Sequence, residues 1–252
     1  MDVDTYLQRI RYRGSRATTA QTLRELQLAH LCSVPFENLS IHAGQPVILQ
    51  DDALFDKIVV RRRGGFCYEL NGLFAALLRQ LGFKVEMLSA EVANGKGGFS
   101  PDFAHMTLMV TLKERRLADV GFGDSFREPL LLDWNQEQLQ GERAYQIVPD
   151  GAYLVLKQRE NGAEGKDQYR FTLQPHTYAD YAEMCHYQQT SPQSHFTQAR
   201  ICTRATADGR ITLSKMRLIT TVNGEQREER ELTNDEDYAS ALREHFDIVW
   251  PG

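Results

Sequence analysis

Apolar residues recur at helical spacing through the first third of the chain, alternate through the middle third, and do some of each in the last. Leu23, Leu26, Ala29 and Leu31 predict a helix, with Thr18 and Thr19 as N-cap candidates. Asp51 and Asp52 open a second helix, whose buried face is Leu54, Phe55, Ile58 and Val59. The strongest 3.6-residue period starts near Cys67 and runs through Leu70, Leu73, Phe74, Leu77, Leu78 and Leu81, and Gly82 ends it.

Residues 84–92 and 103–112 alternate and predict strands. Short apolar runs at 117–122, 144–148, 153–156 and 169–173 follow, with turn residues between them, which is the pattern of a barrel or sandwich. In the last third, Asn223-Gly224 reads as a hairpin turn. Thr233 and Glu236 read as a capping box for a helix carrying Tyr238, Leu242 and Phe246 on one stripe. Helices, then strands, then a mixed segment define an α+β chain, and the lack of alternating βαβ units argues against a dinucleotide fold.

At 252 residues, one or two folding units are expected. A hydrophobic share of 42% and a charged share of 25% exclude a disordered chain, a collagen and a coiled coil. No apolar run approaches the ~18 residues of a membrane span, so no membrane partner is expected. The net charge of −5 argues against sequence-independent nucleic-acid binding. The charged N-terminal segment is unlike a secretory signal, and the four cysteines are widely spaced. Reduced thiols and a cytoplasmic location are therefore expected. Cys-x-x-Cys, His-x-x-x-His and Gly-x-x-x-x-Gly-Lys are all missing from the sequence, so no metal and no P-loop chemistry is expected.

Cys67 follows Arg63-Gly64-Gly65-Phe66 and sits in the first turn of the strongest helix. The glycines allow a sharp turn and close approach of a ligand. A thiol there lies at the positive end of the helix dipole, where free N–H groups favour a thiolate and can hold an oxyanion. The competing reading is a buried structural cysteine. A thiolate nucleophile needs a base, and the base needs an orienting group. His105, in the alternating run 103–110, and Asp119, a carboxylate inside an apolar run, are the candidates. Strand parity makes a demand here. A two-residue turn at Lys113-Glu114 puts Asp119 opposite Leu108, on the wrong face. Bringing Asp119 opposite Thr107, beside His105, requires a three-residue turn or a bulge.

Arg-Gly-Gly-Phe-Cys-Tyr-Glu-Leu-Asn at 63–71, Val-Pro-Phe-Glu-Asn-Leu at 34–39, His105 opening a strand, Asp-Val-Gly-Phe-Gly at 119–123 and Thr-Ser-Pro-Gln-Ser-His-Phe at 190–196 together resemble the arylamine N-acetyltransferases. The resemblance implies a helical bundle over 1–83 carrying the nucleophile, a β-barrel over 84–175 carrying the His and Asp, and an α/β lid over 176–252. Their core would be a cysteine-protease-like triad of Cys67, His105 and Asp119. It further implies acetyl-CoA as co-substrate, passing its acetyl group through a cysteine thioester to an arylamine, arylhydrazine or N-arylhydroxylamine, with foreign amines as the expected substrates. By the same likeness Phe36 and Phe122 would line the acceptor pocket, and Ala104 would border both substrates. Ser100 and Pro101, at the end of the glycine-rich loop 94–101, would lie on the coenzyme A side. Glu37 and Arg63 would form an ion pair beneath the site. A second site at Cys185, His186 and His195 is the weaker reading of that trio. The rival functions are a cysteine hydrolase, a macrolactam-forming amide synthase of the same family, and a non-catalytic binding module.

Overall fold

The computed structural model describes residues 1–160, 162–222 and 226–250. The helices α1 (Val3–Arg9) and α2 (Ala20–Ser33) are N-capped by Asp2 and Thr19. Of the two threonine candidates, Thr19 is therefore the cap. A short strand, β1 (Phe36–Glu37), and a single turn, α3 (Leu39–His42), lead to α4 (Asp51–Phe55). Asp51 and Asp52 occupy the first turn of α4 as expected, but the helix widens into a π-helical turn over Asp56–Val60. That turn buries three consecutive residues, Lys57, Ile58 and Val59, rather than one stripe. The next helix, α5 (Cys67–Gln80), is buried continuously from Cys67 to Leu78. It is a central helix, enclosed on all sides by α1, α4 and two barrel strands. Gly82, at φ +89°, ends the turn beyond it.

The barrel consists of β2 (Lys84–Val92), β3 (His105–Thr111), β4 (Arg115–Ala118), β5 (Leu130–Leu131), β6 (Gln138–Gln140), β7 (Arg143–Asp150), β8 (Tyr153–Glu160) and β9 (Lys166–His176). The strands pair antiparallel in the order β5-β4-β3-β2-β9-β8-β7-β6. The two end strands close the barrel through side chains. Gln138 accepts the Leu131 N–H at 2.7 Å and donates to its carbonyl at 2.9 Å. Gln140 accepts from Arg127 and Glu128 N–H groups and donates to the Glu128 carbonyl. The two amides substitute for peptide groups, so the sheet is nearly closed and its edges are not left bare. Leu88, Met109, Leu117, Leu130, Tyr145, Leu156 and Phe171 fill the interior.

Two predicted strands are shorter than their apolar runs. The run at 103–112 becomes a strand only at His105, because Phe103 sits at φ +60°. The run at 117–122 leaves the ladder after Ala118. There Asp119 turns to hydrogen bonds of its own, described below.

The remaining chain holds a 3₁₀ turn (Tyr178–Tyr181), α6 (Ala182–Thr190), α7 (His195–Gln198), β10 (Ile201–Ala205), β11 (Gly209–Ser214), β12 (Arg217–Val222), β13 (Gln226–Glu231) and α8 (Asp235–Phe246). The predicted turn at Asn223-Gly224 lies outside the described residues. The cap of α8 falls one residue later than predicted. Asn234 accepts the Asp237 N–H, and the Asp237 carboxylate accepts from Thr233. The second sheet runs β1-β10-β11-β12-β13, so the N-terminal third supplies an edge strand to it. The whole is a mixed helix and sheet fold built round a nearly closed eight-stranded barrel. Among the described residues, no helix is long and apolar enough to cross a membrane.

The barrel seam gives a first prediction. Gln138→Ala removes two hydrogen bonds and leaves the Leu131 peptide group unpaired, at a cost of about 1–3 kcal/mol. Urea unfolding should show a lower midpoint with an unchanged slope.

Candidate active site

Cys67 is the first residue of α5 and is 3% exposed. The chain reaches it through a tightly held approach. Gly64 and Gly65 have no positive φ; what they supply is the absence of a side chain. A Cβ on Gly64 would lie 2.0 Å from the Pro35 carbonyl oxygen, and one on Gly65 would meet Glu69 at 2.7 Å. The glycines thus serve close packing of this chain against itself, not a sharp turn as expected from sequence. Glu37 donates its backbone N–H to the Gly65 carbonyl at 2.9 Å.

Four buried charges brace this approach. Arg63 forms two bonds to Glu37 Oε1 at 3.1 and 2.9 Å, the ion pair the resemblance implies, and Glu37 Oε2 accepts the Leu39 N–H. Lys57, delivered by the π turn, reaches Glu69 Oε1 at 2.6 Å. The other oxygen of Glu69 accepts the Phe66 N–H at 3.1 Å and so satisfies an orphan donor at the start of α5. Burial alone would raise the Glu37 carboxyl, but the Lys57 and Arg63 charges outweigh it and hold it low. Burial wins at Glu69 and pushes its carboxyl up despite Lys57.

His105 opens β3 and Asp119 follows β4. The ladder pairs Thr111 with Arg115 and Leu108 with Ala118, which makes the connection three residues long. This is the parity that brings Asp119 back to His105. His105 Nε2 and Asp119 Oδ2 are 2.7 Å apart, and both residues are buried. Oδ2 also accepts from the Tyr169 hydroxyl at 3.1 Å. Oδ1 accepts from Asn71 Nδ2 and from the Gly121 N–H, each at 2.8 Å. Burial would raise the Asp119 carboxyl, but the His105 charge and these donors together hold it below its ordinary value.

Asn71 and Tyr169 were not singled out by the sequence reading. Asn71 lies one turn after Cys67, and its polar side chain on an apolar helix was a legible signal. Its Nδ2 also donates to the Met106 carbonyl, and its Oδ1 accepts the Val120 N–H. One side chain therefore ties α5 to β3 and to the segment after β4. That segment crosses the helix start so closely that a Cβ on Gly121 would lie 2.8 Å from Cys67 Cα. Tyr169 reaches Asp119 from β9, 50 residues away in sequence, and nothing local marks it.

Burial pushes the Cys67 thiol upward, against the expectation of a thiolate favoured by the helix start. Backbone amides of Met106 and Tyr68 act in the opposite sense and do not overcome it. His105 is packed by two rings, Phe122 and Tyr169, each with its centroid 5.1 Å from the imidazole. Phe36 is half-buried and packs on Phe196, which in turn packs on Phe66, the neighbour of Cys67. Ala104 is buried beside Phe103, whose carbonyl accepts the Tyr68 hydroxyl at 2.7 Å. The Ser100 hydroxyl is engaged locally with the Val92 N–H, and Pro101 is exposed. Among the described residues, no cluster of three or more His, Cys, Asp or Glu is arranged to hold a metal. Cys185 is buried in the core, whereas His186 and His195 are exposed.

The sequence model of a family described as N-acetyltransferase matches residues 19–251. The arylamine N-acetyltransferase of Escherichia coli (strain K12) is 32% identical over 246 residues, covering 96% of this chain and 87% of that one. A proansamycin X synthase of Amycolatopsis mediterranei (strain S699) is 32% identical over 257 residues, covering 96% and 95%. The structure of Mycobacterium marinum arylamine N-acetyltransferase in complex with CoA superposes with a TM-score of 0.89 at 32% identity, covering 98% of this chain and 93% of that one. The chain belongs to the arylamine N-acetyltransferase family.

Two predictions follow from the Asp119 network. Asn71→Ala leaves three buried partners short of a bond and should cost about 2–4 kcal/mol, read by denaturant unfolding. Asp119 titrates lower in the folded chain than in the unfolded one. Its stabilisation is therefore complete above its unfolded value of 3.8 and is lost as pH falls through the lower folded value. Asp119→Asn should accordingly show a shallower loss of stability between pH 5 and pH 2 than the wild type, measured by thermal unfolding across that range.

Proposed function

We propose that this protein is an acetyl-CoA-dependent N-acetyltransferase of aromatic amines, hydrazines or N-arylhydroxylamines, with Cys67, His105 and Asp119 as its triad. The observation that carries the reading is the buried 2.7 Å pair of His105 and Asp119, set against the helix start that bears Cys67. Family membership and the CoA-bound relative support the acyl donor.

In this reading the raised thiol is neutral at rest and becomes reactive by giving its proton to His105. Asp119, bonded at Nε2, leaves Nδ1 for that proton and stabilises the imidazolium that forms. The sulfur attacks the thioester carbonyl of acetyl-CoA, and backbone N–H groups at the start of α5 hold the oxyanion. As the carbon–sulfur bond of the donor breaks, His105 returns the proton to the departing CoA thiolate, and an acetyl-Cys67 thioester remains. An amine then attacks that carbonyl, and His105 takes the amine proton as the amide forms and the Cys67 sulfur leaves. Phe122 and Phe36 would flank the acceptor, Ala104 would border both substrates, and Ser100 and Pro101 would lie toward coenzyme A. No metal takes part in these steps. The proposed three-region division at 83/84 and 175/176 places the nucleophile in one region and its base in the next.

The proansamycin synthase relative favours one other reading, an amide synthase with the same acyl-cysteine but a different acyl donor. Intact-protein mass after mixing with acetyl-CoA and no amine separates the two. One acetyl group on the wild type, none on Cys67→Ala, and discharge by an aromatic amine or hydrazine is the expected result. An unmodified protein whose Cys67 still alkylates readily would exclude acetyl-CoA as donor and favour the synthase. Asp119→Asn should slow acetylation by about 10²–10⁴-fold.

A further inference from the structure

Buried polar groups almost always find partners, so several unpaired ones in one place mark a site. Three such residues stand on α1 and α2, and one of them holds the backbone at Asp119. Gln27, fully buried on α2, accepts the Asp119 N–H on Oε1 at 3.2 Å. That contact fixes the orientation of its amide, because only the oxygen can face a donor. The Gln27 Nε2 therefore points elsewhere; it is buried and has no partner among the described residues. His30, one turn further along α2, is 1% exposed, and neither of its ring nitrogens has a partner among the described residues. Tyr6, from α1, lies with its ring centroid 6.0 Å from that of His30, and its hydroxyl is likewise buried and unpartnered.

Among the described residues, the surroundings offer no substitute partner. Phe74 of α5 covers His30 at a centroid distance of 5.4 Å. Arg9, the charged neighbour on α1, donates instead to the carbonyls of Ser33, Ile58, Arg62 and Arg63. Burial drives His30 down to about 3, so at neutral pH its ring carries one donor and one acceptor. The set then holds amide, imidazole and phenol donors together with imidazole and phenol acceptors. Water, with two of each, can satisfy donors and acceptors alike.

We propose that Tyr6, Gln27 and His30 form a binding site for ordered water, and that Gln27 and His30 are through it positioning residues for the Asp119 carboxylate. The site would hold the Gln27 amide still, and Gln27 in turn holds the backbone where the chain leaves β4. The functional half of the proposal rests on reading Asp119 as the group that orients His105.

The test combines a high-resolution crystal structure of the full chain with kinetics on three variants. The structure should show ordered water within hydrogen-bond distance of Gln27 Nε2 and of a His30 nitrogen. His30→Phe should lower kcat by about 10- to 100-fold with the KM for acetyl-CoA within twofold of wild type. His30→Gln, which restores a donor and an acceptor, should recover most of that loss. Tyr6→Phe removes a single oxygen and should act in the same direction as His30→Phe, which keeps the test decisive if His30→Phe does not fold. Alkylation of Cys67 by iodoacetamide should fall in parallel, and it needs no acetyl-CoA. A dry pocket, or kcat and alkylation rates equal to wild type in folded His30→Phe or Tyr6→Phe, would overturn the proposal. A wild type that is alkylated but never acetylated would instead refute the acetyltransferase reading and leave the water site to be judged by density and alkylation.

Discussion

A carboxylate taken out of water costs several kcal/mol unless hydrogen-bond donors replace its hydration, and the architecture here is arranged around that requirement at Asp119. His105 from β3, Asn71 from α5, Tyr169 from β9 and the Gly121 amide each give it one bond, and Gln27 from α2 holds its own N–H. Helices and barrel strands thus converge on a single side chain. A shift of the helical layer against the barrel would unpair a buried charge, which makes the relative placement of α5 and β3 a stiff coordinate. The proposed nucleophile and base stand on those two elements.

A second buried network does for Cys67 what Asp119 does for His105. Arg63 with Glu37 and Lys57 with Glu69 enclose residues 64–66, the last backbone before Cys67. The two pairs are neutral in sum, so the approach is braced without placing a net charge behind the thiol. The unusual π turn finds its role here, since it carries Lys57 inward to a carboxylate that would otherwise stand alone in the core.

Much of this was legible along the chain. The period of α5, the alternation of β2 and β3, and the placing of Cys67 at a helix start all come from local patterning, and the family motifs name the triad candidates. Strand parity even specified that a three-residue turn or a bulge must lie between His105 and Asp119, and the three-residue turn is what forms. Lys113 and Glu114 could not reveal which turn forms, since a polar pair suits a two- or a three-residue loop alike. The glycines before Cys67 were misread because their reason, the carbonyl of Pro35 and the side chain of Glu69, lies in tertiary contact. Tyr169 was missed for the same cause. The cap of α8 slipped by one residue because Thr233, Asn234 and Asp237 offer overlapping capping geometries, and Asn234 with Asp237 satisfies more donors.

The edge strand β1 has a consequence for how the chain comes together. Phe36 and Glu37 belong to the N-terminal third, yet they pair with Thr203 and Cys202 of β10. During synthesis at about 5–20 residues per second, residues 36 and 37 would wait roughly 10–30 s for those partners to emerge. Any assembly of the helices around α5 before that moment leaves one flank of the Cys67 approach open. The last sheet to be made then closes that flank, so that the surroundings of Cys67 are completed only when nearly the entire chain is present.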